Sequence, residues 1–79
     1  MPAETVHVGV CARGIECLDT RHTGRMALFA LQVDDTPPRH YCADDVTDRV
    51  GYHHTQGSAI TYTPAARALL IREGMRVIA

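Results

Sequence analysis

The stretch from Ile60 to Ala79 constrains this chain more than any other, because it reads as a complete strand–helix–strand phrase. Thr63 offers the hydroxyl of a helix N-cap, and the ring of Pro64 fixes the φ that a first helical turn requires. Gly74 stands where a left-handed residue commonly ends a helix. Pro64–Glu73 is therefore predicted to be a helix with Ala66, Leu69, Leu70 and Ala65 inward and Arg67 and Arg72 outward. A strand around Ile60 leads into it, and Met75, Val77 and Ile78 form a last strand after it.

The rest of the chain must fit around that phrase within 79 residues, which is one domain with a thin core. An apolar share of 46% is too high for disorder. The formal charge of −1 gives no electrostatic footprint for nucleic acid. All 8 basic residues are arginine, and their scatter fits the compositional bias of a GC-rich genome more simply than an anion site. No apolar run has the length of a membrane span, and the first residues lack the pattern of a secretory signal. The cysteines number 3, an odd count that argues against a closed disulfide framework and for free thiols in a cytoplasmic setting.

Val6, Val8 and Val10 alternate with His7 and Gly9, so residues 5–11 are predicted to form a half-buried strand. Residues 12–14 suit a turn, 15–20 a second short strand and 21–24 a hairpin loop. From Arg25 to Val33 the chain is apolar on both alternating sets: Ala27, Phe29, Leu31 and Val33, then Met26, Leu28 and Ala30. The flanking turn signals favour a strand over a helix here, either central in the sheet or covered by a partner. Asp34-Asp35-Thr36-Pro37-Pro38 breaks the chain into a strand-rich half, 1–36, and a mixed half, 37–79, neither large enough to be a domain alone.

In the second half, Arg39–Cys42 is a brief extended piece and Ala43–Val50 a helix with Asp44 and Asp45 in its first turn. Val46 and Val50 give it an inner stripe, and Asp45 and Arg49 are spaced to pair on its outer face. Residues 51–57, glycine-bracketed and polar, read as a surface loop. The expected architecture is an α+β domain over 1–79: a small antiparallel sheet of three to four strands with two short helices packed on one face.

Two phrases in this half, Tyr41-Cys42-Ala43-Asp44-Asp45-Val46 and Ile60-Thr61-Tyr62-Thr63-Pro64-Ala65-Ala66-Arg67 with Gly74-Met75-Arg76-Val77, carry a family resemblance. Residues 41–79 resemble a helix–loop–helix–strand segment of the microcompartment-associated cobalamin adenosyltransferases, such as those of ethanolamine utilisation. Residues 1–40 have no such counterpart. The resemblance implies a local shape and no catalytic residue, since the cysteine-rich metal segment of that family is missing and Cys42 replaces its capping threonine.

Reactive residue types are present without a motif to organise them. Cys11, Cys17, Cys42 and His40 supply the ligand types of a zinc site, but the tight Cys-x(2–4)-Cys knuckle is missing. Cys42, just before a helix start, is the best placed for a stabilised thiolate. His40, His53, Asp44 and Asp45 could join it in a hydrolase inventory, with no elbow or motif to unite them. The glycines never gather into a phosphate loop. Arg13, Arg21, Arg25 and Arg39 with Tyr41 and Tyr52 could meet RNA, but Glu16, Asp19, Asp34 and Asp35 offset them. These observations favour a non-enzymatic protein-binding module without cofactor: a regulator, an accessory subunit, or an inhibitor of the kind that phages and mobile elements encode. A homodimer seam along the apolar strand is part of that expectation. Its predicted contact residues are Arg39, Tyr41, Tyr52 and His54, since exposed aromatic and arginine side chains dominate interface energies. A zinc- or thiol-dependent protein is the alternative, and an RNA-binding protein the next.

Overall fold

The computed structural model describes residues 4–11 and 26–78. The expected turn at 12–14, the strand at 15–20, the hairpin loop at 21–24 and Cys17 lie outside these residues. The described chain runs β1 (Thr5–Val10), β2 (Phe29–Val33), β3 (Arg39–Tyr41), α1 (Ala43–Thr55), β4 (Ala59–Tyr62) and α2 (Pro64–Arg72). It is the α+β fold the sequence implied.

The alternation in β1 does what its period requires: Val6 and Val8 are buried and His7 is exposed, whereas Val10, at the strand end, is exposed. β1 pairs antiparallel with β2, bringing Val6 opposite Val33 and Val8 opposite Leu31. In β2, Phe29 and Leu31 are buried while Ala30 and Gln32 sit half-buried on the other face. The strand order is β3-β2-β1-β4, so β2 is central, which accounts for its apolar character. The break after β2 is a tight turn in which Asp34 adopts φ 48. The Asp34 carboxylate accepts from the Thr5 amide at 3.0 Å, tying the turn to the start of β1.

One strand pairing departs from the antiparallel expectation: β4 runs parallel to β1, and the sheet is mixed. The cause is the connection. β3 runs antiparallel to β2, and the crossover through α1 carries the chain back before β4 begins, on the opposite edge. Val46 and Val50 of α1 and Ala66 and Leu70 of α2 bury against Val6, Val8, Phe29, Leu31 and Tyr41, so both helices cover one face of the sheet.

α1 does not stop at Val50 but continues to Thr55, through Gly51 and into the segment expected to be a loop. Glycine costs a helix interior about 1 kcal/mol, less than the packing of Val46 and Val50 contributes. Ile78 completes that packing, with its Cδ1 lying 3.7 Å from where a Gly51 Cβ would stand. The expected outer pair of Asp45 and Arg49 is also absent. Asp45 faces inward, 1% exposed, and accepts from the Cys42 thiol at 3.4 Å.

α2 begins as its sequence dictates, with Thr63 Oγ1 accepting from the Ala66 amide at 3.1 Å. It ends one residue early, at Arg72, and Gly74 then turns the chain at φ 77. Ala65, expected inward, is exposed. The last strand does not form. Residues 75–78 instead pack against the core, and the Tyr62 hydroxyl donates to Ile78 O at 2.6 Å and accepts from Ile78 N at 3.2 Å. Among the described residues, no helix is long and apolar enough to cross a membrane.

Candidate functional site

β3 is an edge strand, so the two residues it turns toward the helical layer meet different surroundings. Tyr41 is buried beneath α1, and Arg39, nearer the rim, remains exposed. Facing them on α1 are Arg49, Tyr52 and His53, at the i, i+3, i+4 spacing that places residues on one side of a helix. Together with the turn at Thr36 and Pro37, they line a cleft of about 400 Å³ between β3 and α1.

The cleft is cationic and aromatic. The Arg49 guanidinium carbon lies 5.6 Å from the centroid of the Tyr41 ring, within the reach of a cation–π contact. Tyr52 is 59% exposed, and its ring meets that of His53 edge-on at 5.3 Å between centroids. His53 Nδ1 is buried and has no hydrogen-bond partner among the described residues. Neither Arg39 nor Arg49 forms an ion pair with a described carboxylate. Among the described residues, the acid on the lining is Glu4, which is exposed.

Of the four contact residues expected from sequence, Arg39, Tyr41 and Tyr52 line this cleft, with Tyr41 as its buried floor. His54 is exposed on the last turn of α1 and is not part of the lining. Sequence reasoning missed Arg49 and His53. Their spacing with Tyr52 was visible, but it becomes a shared face only once the helix runs through Gly51.

The other reactive groups lie outside this cleft. The Cys11 thiol donates to Ala27 O at 3.0 Å, and burial pushes its pKa up. Cys42 is buried at the start of α1 against Asp45. His40 is half-buried, and its Nδ1 has no hydrogen-bond partner among the described residues. Among the described residues, no group of three or more histidine, cysteine or acidic side chains could hold a metal ion. A second concavity, of about 390 Å³, lies on the sheet face away from the helices. There the His7 Nδ1 is 2.7 Å from Thr61 Oγ1, beside Gln32 and above the small residues Gly9 and Ala30.

Comparison with known proteins adds no relative: no family model, no curated protein and no solved structure matches the chain.

Proposed function

We propose that this protein is a non-catalytic protein-binding module, a regulator, inhibitor or accessory subunit that grips its partner in the cleft between β3 and α1. One observation carries the reading. Two arginines without a partner among the described carboxylates and an exposed tyrosine converge on a single recess, Arg39, Arg49 and Tyr52. Arginine and tyrosine are the residue types that dominate interface energies, and a recess lets a partner group be desolvated against them. The odd count of 3 cysteines supports a reducing, cytoplasmic setting.

The test is comparative capture from lysate of the source cells. Wild-type protein is expected to retain a specific partner that Tyr52→Ala loses and that Arg72→Ala, on the far helix, keeps. A partner held equally by all three would overturn the assignment of the cleft. Light scattering of the free protein separates a hetero-partner from self-association.

A further inference from the structure

Resting on that reading of the cleft, we infer that it takes an oxyanion, a carboxylate or phosphoryl group presented by an acidic segment of the partner protein. Arg39 and Arg49 approach the recess from two separate elements and neither is neutralised by a described carboxylate. Unpaired guanidinium groups facing one concavity are a standing electrostatic demand that an oxyanion meets, and the planar fork suits carboxylate and phosphate alike. The cation–π contact of Arg49 with the Tyr41 ring, 5.6 Å from guanidinium carbon to ring centroid, restricts the side chain before any ligand arrives, which lowers the ordering cost of binding. Tyr52, half in solvent at the rim, can lie along the chain that bears the acid. A nucleic acid fits less well. Among the described residues two arginines converge, the formal net charge is −1, and Glu4 on the lining would oppose a continuous phosphate backbone.

Fluorescence anisotropy on the full chain tests this with four labelled probes: hexaglutamate, a phosphoserine-containing peptide, hexaglutamine and an oligouridylate. One or both acidic peptides are expected to bind at least tenfold more tightly than hexaglutamine, and which one does so identifies the source of the oxyanion. Arg39→Ala and Arg49→Ala should each weaken that binding on the order of tenfold, the loss of one charge-assisted contact. Glu4→Gln should strengthen it, and Arg72→Ala should leave it unchanged. Arg49→Lys, which keeps the charge, should recover part of the affinity and guards against a folding defect in the alanine variant. Equal binding of hexaglutamate and hexaglutamine, indifference to both arginines, or tighter binding of the oligouridylate would overturn the inference. A captured partner that depends on Tyr52 but tolerates loss of both arginines would overturn it too, while leaving the binding-module reading in place.

Discussion

Arg49 on α1 lies over the ring of Tyr41 on β3, its guanidinium carbon 5.6 Å from the ring centroid, and this contact joins the core to the cleft. Tyr41 is 2% exposed and serves the interior, while Arg49 is exposed and faces solvent. Replacing the two should therefore have separable effects. Tyr41→Ala removes a buried aromatic and is expected to cost about 3–5 kcal/mol, comparable to the whole stability of a domain this small. Arg49→Ala should cost no more than about 1 kcal/mol. Urea denaturation of both variants checks the difference.

The glycines at 51 and 74 should respond in opposite directions. Gly51 sits inside α1 with room for a methyl group, its nearest neighbour at 3.7 Å, so Gly51→Ala should stabilise the fold by about 0.5–1 kcal/mol. Gly74 adopts φ 77, where a side chain is strained, so Gly74→Ala should destabilise by about 1 kcal/mol. Thermal midpoints moving apart for the two variants would bear this out.

Thr63 caps α2 through its hydroxyl. Thr63→Ala should cost about 1 kcal/mol, and Thr63→Ser should restore most of it. A loss that serine fails to restore would mean that packing, rather than the cap, holds that helix start.

Tyr62 makes the pH dependence of the C-terminal segment. Burial, the largest cause, raises its pKa above the ordinary 10.0, partly offset by the Ile78 backbone contact and the Arg67 charge. A folded-state pKa above the unfolded value means that the folded state holds the proton more tightly. The associated stability is therefore fully present below pH 10.0 and is lost as pH rises through the folded value. Denaturation midpoints measured from neutral to strongly alkaline pH should fall in that window. Tyr62→Phe should be less stable at neutral pH, by about 1–2 kcal/mol for the lost hydroxyl contacts with Ile78, and should show a shallower alkaline decline.

What the sequence made legible was local. The valine alternation of β1, the turn at Asp34 and the cap of α2 each follow from a few adjacent residues, and each is found where those residues place it. The misses all depend on distant parts of the chain. Gly51 reads as a breaker until Ile78 is seen packing beside it. Asp45 reads as an outer-face acid until the helix is turned so that Val46 and Val50 meet the sheet. Met75–Ile78 reads as a strand, yet it is held without a ladder, by apolar packing, the Met75 amide donating to Leu70 O and the Tyr62 hydroxyl on Ile78. The cleft was half legible for the same reason. Its residue types were apparent, but Arg49 and His53 join it only through the longer helix.

The proposed partner docks between β3 and α1 and not on the open sheet face. Amide chemical-shift mapping of the isotope-labelled protein, titrated with its captured partner, measures this directly. The perturbed signals are expected to gather at Arg39, Arg49, Tyr52 and His53. Perturbations gathered instead at His7, Gln32 and Thr61 would contradict it.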